Sequence, residues 1–409
     1  MYIVKSKTPK LRFPEFSNEW DETSLGTKAK FLKGKGISKS DISEDGKIEC
    51  IRYGELYTEY NELIKDIKSR TNLNRNELIL SESNDVIIPA SGETHIDIAT
   101  ASCVLKKGVA LGGDLNIIKT KNDGVFLAYY LNNKKRIDIA RLAQGNSVVH
   151  LYSSQLKSLN LLLPKIAEQQ KIASFLTAVD DKIQQLTKKK DLLEKYKKGV
   201  MQKIFSQEIR FKPALSGAEV DDDGNDYPDW EEKIMEETAT FYSGGTPTST
   251  NKNYYSGDIP FIGSGDISNQ SVTQYITKEA LKNSSAKMVN IGDLLYALYG
   301  ATSGEVAISK INGAINQAIL CIRTKNNVTF LFHWLSFMKA RIISTFLQGG
   351  QGNLSAQIIK KLKLRIPSDS EQNKIADFLS SIDKKIESVN TQLEKTKEFK
   401  KGLLQQMFV

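Results

Sequence analysis

Two nearly identical stretches decide the fold of this chain: Glu168-Gln169-Gln170-Lys171-Ile172-Ala173 and Glu371-Gln372-Asn373-Lys374-Ile375-Ala376. The second stretch lies 203 residues after the first, and the same spacing relates Phe175-Leu176 to Phe378-Leu379. A self-match at so long a period indicates that one structural unit occurs twice in the 409 residues. The alternative interpretation is a simple gene duplication without division of labour between the copies.

The repeat extends upstream of these stretches but is weaker there. Trp20 corresponds to Trp230, and Ile51-Arg52-Tyr53-Gly54-Glu55-Leu56 corresponds to Ile262-Gly263-Ser264-Gly265-Asp266-Ile267. The spacing falls from 210 to 203 along the chain, so insertions and deletions lie in the upstream part. Each half therefore joins a variable part to a nearly constant part, which suggests two different targets on a common frame.

The constant parts have the sequence pattern of long helices with an apolar seam. Apolar residues recur every seven residues, with a second series four residues later, which is typical of a coiled coil. Lys190, Lys197 and Lys400 interrupt the second series. The predicted coiled-coil interface consists of Ile172, Leu176, Val179, Ile183, Leu186, Leu193, Val200, Ile204, Ile375, Leu379, Ile382, Ile386, Val389, Leu393, Leu403 and Met407.

A helix of about 40 residues is roughly 60 Å long and is unstable alone when its seam is exposed. We therefore expect the two copies to pair antiparallel within the chain, which would give the whole chain a pseudo-two-fold symmetry. Pairing with another chain in a homodimer is the alternative. Ser368-Asp369-Ser370-Glu371 fits a capping box at the start of the second helix.

The predicted fold class is α+β, with two mixed α/β domains joined by the two long helices. The expected segments are a first variable domain (1–165), a central helix (166–208), a linker (209–228), a second variable domain (229–368) and a C-terminal helix (369–409). Within the variable domains the sequence predicts strands at 85–89, 115–119, 158–163, 294–298, 318–323 and 361–366, and helices at 126–142 and 330–347.

The loops of the variable domains have the side chains that DNA recognition requires. Gln and Asn can bond adenine with two hydrogen bonds, Lys and Arg bond guanine or phosphate, and Gly permits close approach of the backbone. In the first copy the candidate DNA-binding residues are Lys33, Lys35, Lys39, Arg52, Tyr53, Ser91, Gln144 and Asn146. In the second copy they are Ser243, Thr246, Thr248, Ser264, Tyr299, Thr302, Ser303, Gln348, Gln351 and Asn353.

Composition favours a polyanionic partner and gives no indication of catalysis. The net charge is +9 at pH 7. The three Cys and three His are too scattered for metal-ligand spacing, and the acidic stretch 221–226 is expected to be a solvated linker, so we expect no metal site. No phosphate-binding loop or Pro-Pro pair occurs, so no catalytic residue is predicted. No apolar run is long enough for a membrane span or a signal peptide, which predicts a cytoplasmic protein that does not bind membranes.

The chain resembles the specificity subunits of type I restriction-modification systems. The resemblance spans essentially the whole sequence, and its strongest carriers are the two copies of one motif. They are Pro164, Glu168-Gln169, Phe175-Leu176, Asp180 and Ile183 in the first copy, and Pro367, Glu371-Gln372, Phe378-Leu379, Asp383 and Ile386 in the second. The stretch Phe241-Tyr242-Ser243-Gly244-Gly245-Thr246-Pro247 also looks like the opening of a target recognition domain, whereas Phe31-Leu32-Lys33-Gly34-Lys35-Gly36-Ile37 departs from that pattern.

The resemblance implies a non-catalytic DNA-recognition subunit. Each variable domain would be a target recognition domain that reads one half of a bipartite site in double-stranded DNA. The paired helices would set the spacer between the half-sites and dock two modification subunits, which carry S-adenosylmethionine and methylate adenine. Two restriction subunits, with ATP and Mg²⁺, would complete the nuclease. The departure at residues 31–37 implies a different DNA word for each domain.

Other interpretations of the sequence remain open at this point. One is a complete DNA methyltransferase with degenerate motifs, and another is a coiled-coil homodimer that binds DNA without sequence preference. A further variant is a methylation system without the nuclease.

Overall fold

The computed structural model describes residues 7–145, 148–212, 227–347 and 353–409. The chain divides into two compact units. Unit 1 comprises the described residues up to Thr187 together with Thr391–Val409, and unit 2 comprises those within Lys188–Asn390. Each unit therefore contains sheets of its own and part of both long helices.

Unit 1 is built mainly on a five-stranded sheet in the order β2-β10-β6-β8-β4, with a three-stranded sheet β5-β3-β9. Two strand pairs, β1-β12 and β7-β11, complete the unit. The strands are β1 Asp21–Ser24, β2 Ala29–Lys33, β3 Ile48–Ile51, β4 Leu63–Ile64, β5 Ser69–Thr71, β6 Asp85–Pro89, β7 Ser91–Gly92, β8 Ser102–Val104, β9 Ala110–Leu111, β10 Leu115–Thr120, β11 Val149–His150 and β12 Asn160–Leu163.

The helices of unit 1 that precede the long helices are α1 Leu25–Lys28, α2 Glu55–Thr58, α3 Gly124–Tyr130, α4 Arg136–Leu142 and α5 Ser153–Lys157. A π-helical turn at Leu131–Lys135 joins α3 to α4, so the predicted helix at 126–142 exists and begins two residues earlier. Its aromatic face packs against residues near both ends of the chain, because the ring of Phe126 contacts those of Trp20 at 5.9 Å and Phe408 at 5.6 Å.

Unit 2 repeats this plan with two four-stranded sheets, β14-β21-β18-β19 and β16-β15-β20-β17, and the strand pair β13-β22. Its strands are β13 Glu231–Ile234, β14 Ala239–Ser243, β15 Ile259–Ile262, β16 Tyr275–Ile276, β17 Lys287–Val289, β18 Leu294–Ala297, β19 Val306–Ile308, β20 Gly313–Ile315, β21 Ile319–Thr324 and β22 Lys363–Ile366. Its shorter helices are α7 Met235–Thr238, α8 Lys278–Lys282, α9 Val328–Phe346 and α10 Ala356–Lys360.

The core of unit 2 reproduces that of unit 1 at equivalent positions. Phe330 packs its ring against Trp230 at 6.2 Å and against Phe205 at 5.9 Å. These three side chains are the counterparts of Phe126, Trp20 and Phe408. The sequence repeat therefore continues into the packing of the buried aromatic residues.

The two long helices are α6, Ile166–Phe205, and α11, Asp369–Gln406. Within unit 2, the Lys190 ammonium donates to Asn390 at 2.8 Å, and Lys197 donates to Asp383 at 2.6 Å. A step of seven residues forward on one helix thus matches seven residues backward on the other, so the helices pair antiparallel. Within unit 1, Lys400 of the second half of α11 pairs with Asp180 of the first half of α6 at 2.7 Å.

The predicted seam residues of both helices lie in the interior. Ile183, Leu193 and Ile386 are half-buried, and the other predicted seam residues are buried. The three lysines that interrupt the apolar pattern all make the cross-helix contacts just described. The breaks in the pattern are therefore polar pairs between the helices.

The start of α11 differs in one respect from the expected capping box. The backbone N–H of Glu371 donates to the Ser368 hydroxyl at 3.4 Å, as a cap requires. The Glu371 carboxylate, however, accepts from Arg210 at 2.8 Å and from the Trp230 ring N–H at 3.0 Å. Among the described contacts the Glu371 carboxylate is directed to these partners, and the reciprocal bond from the Ser368 backbone N–H is not among them.

Candidate nucleic-acid interface

Five loops of unit 1 meet at one edge of its sheets. Hydrogen bonds between backbones join them: Lys35 N–H to Leu111 at 3.0 Å, Gly112 N–H to Ile51 at 2.9 Å, Gly113 N–H to Gly36 at 2.8 Å, Ala90 N–H to Asp114 at 2.8 Å and Leu151 N–H to Ala90 at 3.0 Å. The register explains part of this arrangement, because β3 and β9 are parallel neighbours and their carboxyl ends lie side by side. Loops that are distant in sequence therefore form one surface.

A groove in this surface contains three of the predicted residues. Lys39, Arg52 and Tyr53 line it together with residues 36–38, 54 and 112–113 and the two acids Asp41 and Asp114. Lys33 and Lys35 lie on the strand and turn that lead into the groove wall, and their side chains are exposed. The structure thus brings the predicted cations of the first copy to one edge of the unit.

The groove wall depends on a close approach of two backbones at Gly34. A Cβ atom at this position would lie 1.8 Å from the carbonyl oxygen of Gly112. The same holds in unit 2, where a Cβ at Gly244 would lie 1.8 Å from the carbonyl oxygen of Ile315. The two turns have different sequences, but both need a glycine where the strand reaches the neighbouring loop.

The wall also contains a strained residue. Ile37 has a φ of 62°, in the left-handed region that a β-branched side chain rarely adopts. Its side chain is buried, so packing holds the backbone in this conformation. Such strain costs on the order of 1–3 kcal/mol and persists where the surrounding structure fixes it, as in binding loops.

Ser91 and Gln144 lie on a second part of the same edge and share a partner that the sequence analysis did not select. The Ser91 hydroxyl lies 3.2 Å from Nδ1 of His150, and Gln144 and His150 exchange two backbone hydrogen bonds. His150 and its stacked neighbour Tyr152 are exposed. Neither belongs to a periodic pattern or a motif, so only the pairing of β7 with β11 reveals them. Asn146 lies outside the described residues.

Unit 2 forms the equivalent edge. The backbone N–H of Leu298 donates to Ala318 at 2.8 Å, and that of Leu354 donates to Leu298 at 2.9 Å. The Thr246 hydroxyl donates to the Gln317 side chain at 2.6 Å, which brings the turn after β14 to the loop before β21. Gln317 is thus a further residue of this edge that sequence reasoning missed.

The remaining candidates of the second copy occupy four places at this edge. Ser243 ends β14, and Thr248 is exposed in the turn after it. Ser264 follows β15, whose parallel neighbour β20 leads into the loop at 316–318. The turn after β18 carries Tyr299, Thr302 and Ser303, and burial raises the pKa of Tyr299. Asn353 is exposed beside Leu354, whereas Gln348 and Gln351 lie outside the described residues.

The two edges differ in charge. The equivalents of Lys33, Lys35, Lys39 and Arg52 in the second copy are Ser243, Gly245, Ser249 and Gly263. An exposed cationic edge attracts phosphate, whereas hydroxyl and amide groups bond base edges or phosphate without net charge. The two surfaces therefore share a backbone frame and differ in chemistry.

The most constant residues of the repeat do not lie at these edges. Glu168 accepts from Arg12 at 2.7 Å and from the Trp20 ring N–H at 3.3 Å. The hydrogen bond between Arg12 and Glu168 raises the pKa of Arg12. Gln169 accepts from the backbone N–H of Asp123 at 3.0 Å and donates to the carbonyl of Pro164 at 2.8 Å. The motif thus fixes the start of the long helix to the domain that precedes it.

Comparison with known proteins assigns the chain to a family. The family model described as the type I restriction modification DNA specificity domain matches it twice, over residues 17–195 and 227–398. Because these matches cover most of the sequence, the chain belongs to this family, and the resemblance inferred from the repeated motif is confirmed. It is a specificity subunit of a type I restriction-modification system, the class of subunit that recognises the DNA sequence.

Individual relatives support the assignment over nearly the full length. The type I restriction enzyme MjaVIII specificity subunit of Methanocaldococcus jannaschii is 25% identical over 411 residues, covering 96% of this chain and 92% of that protein. The putative type I restriction enzyme MjaX specificity subunit of the same organism is 28% identical, covering 70% and 67%. The crystal structure of a type I restriction-modification S subunit from M. genitalium has the same fold, with a TM-score of 0.66, 18% identity, and coverage of 98% and 99%.

The described residues contain neither a membrane-spanning helix nor a cluster of metal ligands. Among the described residues, no helix combines the length and the apolar composition needed to cross a bilayer. In the same part of the chain, no three His, Cys, Asp or Glu side chains are grouped so that they could hold a metal ion.

Proposed function

We propose that each unit reads one half of a bipartite site in double-stranded DNA through the loop edge described above. The observation that carries this proposal is the presence of two equivalent edges on one repeated frame with different side chains. Loops held by backbone hydrogen bonds can present fixed donors and acceptors to base edges, which direct readout requires. Different side chains on the same backbone frame let each unit recognise its own half-site sequence.

The paired long helices set the spacer between the half-sites and dock two modification subunits in this proposal. Exposed apolar side chains on the helices support docking: Leu192, Tyr196 and Phe399 are 54%, 53% and 54% exposed. Tyr196 and Phe399 occupy equivalent positions, 203 residues apart, so the repeat places one exposed aromatic ring on each helix. Leu192 and Tyr196 are four residues apart and therefore lie on one face of α6, and contiguous exposed apolar side chains are typical of surfaces that bind a partner protein.

In this proposal, other subunits catalyse the methylation and restriction reactions. The modification subunits bind S-adenosylmethionine and methylate adenine, and two restriction subunits use ATP and Mg²⁺. This chain contributes recognition and assembly and no catalytic residue. It is required for both modification and restriction, and it acts in the cytoplasm. Because methylation of a base in a duplex requires flipping it, both half-sites must be held firmly.

Genome-wide mapping of adenine methylation, in cells with and without this gene, tests the proposal. We expect methylation at one bipartite motif that has two defined half-site sequences and a spacer of fixed length but any sequence. This methylation should disappear when the gene is removed. A continuous motif, or an unchanged map after removal, would contradict it. Mapping does not require the restriction subunit, so it also applies to a methylation system without the nuclease.

Two measurements on the purified chain distinguish the other interpretations. Incubation with labelled S-adenosylmethionine and DNA should give no methyl transfer, whereas a complete methyltransferase would label the DNA. Light scattering should give the mass of one chain, 45.7 kDa, whereas a coiled-coil homodimer would give twice that mass.

A further inference from the structure

Arg52 differs from the other cations of the unit 1 edge because it is held in place. Its backbone N–H donates to Oε2 of Glu55 at 2.9 Å, and its guanidinium Nη2 lies 3.6 Å from Oε1 of the same carboxylate. Glu55 is buried and also accepts from the Ser69 hydroxyl, so its position is fixed. The Arg52 side chain is therefore oriented at the groove before any ligand arrives.

The guanidinium is not saturated by these contacts. Within the described part of the chain, Nε of Arg52 is buried and has no hydrogen-bond partner, and the Nη2 contact is longer than a hydrogen bond. The side chain remains 28% exposed and lines the groove beside Lys39 and Tyr53. Because Nε is buried, the donors that a ligand in the groove can reach are the terminal Nη1 and Nη2 groups of this partly exposed side chain.

An oriented arginine is suited to a particular base. The planar guanidinium matches the O6 and N7 acceptors of guanine in the major groove, and this pair is the commonest specific contact between protein and DNA. The exposed Lys33, Lys35 and Lys39 lack a planar fork and suit phosphate, which carries no sequence information. Among the predicted cations of this edge, the arginine combines a fixed orientation with a planar fork that matches two acceptors of guanine.

Unit 2 has no cation at the equivalent position. Gly263 stands where unit 1 has Arg52, and the turn continues as Ser264-Gly265. A Cβ at Gly263 would lie 3.3 Å from Oδ2 of Asp266, which stands where unit 1 has Glu55, so unit 2 keeps the acid of this turn but has no guanidinium beside it. The two units must therefore differ in what they recognise at this point of the frame.

We propose that Arg52 reads a guanine in the half-site of unit 1, and that unit 2 makes no corresponding contact. This inference rests on the proposed function and adds a base and a residue to it. It predicts that one defined position of one half-site is G·C. It also predicts that this preference depends on the guanidinium and not on positive charge alone.

Methylation mapping with the Arg52→Ala and Arg52→Lys variants, each co-expressed with the modification subunit, tests the inference. We expect both variants to lose the guanine preference at a single position of one half-site, by on the order of 10- to 100-fold for Arg52→Ala, and to keep the other half-site unchanged. Arg70→Ala is the matched control, because Arg70 is a surface arginine of β5 that pairs with Glu49 and does not line the groove. It should leave both words unchanged.

Binding of the wild-type complex to a modified DNA tests the same contact without altering the protein. DNA in which that guanine is replaced by 7-deazaguanine lacks the N7 acceptor but keeps its base pair. The wild-type complex should bind this DNA about tenfold more weakly or worse, whereas the Arg52→Ala complex should bind both DNAs equally.

Two results would overturn the inference. One is a wild-type map whose half-sites both lack a fixed guanine. The other is an Arg52→Ala variant that keeps the wild-type words and binds all DNA uniformly more weakly, which would make Arg52 a phosphate contact. Both results leave the bipartite motif intact, whereas failure of the proposed function would remove the motif from the wild-type map.

Discussion

The glutamates of the repeated motif are the same in both copies, and both are buried and paired. Glu168 and Glu371 each bond an arginine and a tryptophan ring N–H. Removing one partner of a buried ion pair typically costs 3–5 kcal/mol, so we expect a substitution of either glutamate to destabilise its unit. The strongest sequence signature of the family thus reports on packing within each unit and not on contact with DNA.

One buried residue breaks the equivalence of the units and has a consequence for pH. His333 stands where unit 1 has Tyr129, whose hydroxyl donates to Asp180. In unit 2, Nδ1 of His333 lies 3.9 Å from Asp383 and makes no hydrogen bond there. Burial, and then the charge of Lys197, lower the pKa of His333 to about 3 from the ordinary value of 6.5, so the ring is uncharged at neutral pH.

This pKa predicts that unit 2 loses stability in mild acid. The unfolded chain binds a proton at His333 below pH 6.5 and the folded chain does not until about pH 3, so the free energy of unfolding falls as the pH drops through this window. At pH 5 the loss is about 2 kcal/mol relative to neutral pH. The substitution His333→Tyr, which copies unit 1, should abolish this part of the loss.

Chemical denaturation at pH 7 and pH 5 measures the difference. The exposed His95 provides the control, because His95→Tyr should leave the acid sensitivity of the wild type unchanged. If the free energy of unfolding falls equally in the wild type and in His333→Tyr between pH 7 and pH 5, the ring of His333 must take up its proton as easily in the folded as in the unfolded chain. That result would contradict the prediction.

Among the elements, the long helices were the most predictable from the sequence. Their apolar period is sustained over many turns, and the predicted bounds of 166–208 and 369–409 lie within three residues of the observed helix ends. The apolar period could not explain why lysines interrupt it. Each of Lys190, Lys197 and Lys400 pairs across the helices at a fixed register, which only the antiparallel direction makes possible.

The contact of Lys197 with Asp383 is predicted to stabilise the helix pair. The two side chains are 17% and 39% exposed, so Lys197→Asp should lower the free energy of unfolding by about 1–3 kcal/mol through the lost pair and the new repulsion. Adding Asp383→Lys restores opposite charges and should recover much of the loss. Lys195→Asp is the control, because Lys195 is 72% exposed and its ion pair among the described residues is with Asp191 of the same helix. No recovery in the double variant would contradict a direct interaction.

At the scale of the whole molecule, the repeat predicted two units and their helices, but not the details of the recognition edges. Strand β6 matches its predicted bounds, because a fully buried apolar run leaves little choice of structure. The edges depend on contacts between loops far apart in sequence, such as Ser91 with His150 and Thr246 with Gln317. Loop sequences have no period, so residues such as His150, Tyr152 and Gln317 could be found only from the folded chain.

The spacer function can be tested by lengthening the helices. The sequence repeat predicts that inserting a heptad within residues 184–198 changes the spacer and leaves both half-site words intact. The observed register refines this design. An insertion in α6 alone would shift one half of α6 along α11 and break either the pairs of Lys190 and Lys197 in unit 2 or the pair of Asp180 with Lys400 in unit 1. One heptad should therefore be added to each helix, after Thr187 and after Asn390.

Seven residues are two helical turns and add about 10 Å, so the seam keeps its phase and the polar pairs of each unit are preserved. We expect methylation mapping to show the same two words separated by a spacer longer by a few base pairs. An equally long insertion of Gly and Ser residues at the same two places is the control, because it breaks the helices and should abolish methylation at a fixed spacing. An unchanged spacer in the double heptad variant would show that another subunit sets the distance between the half-sites.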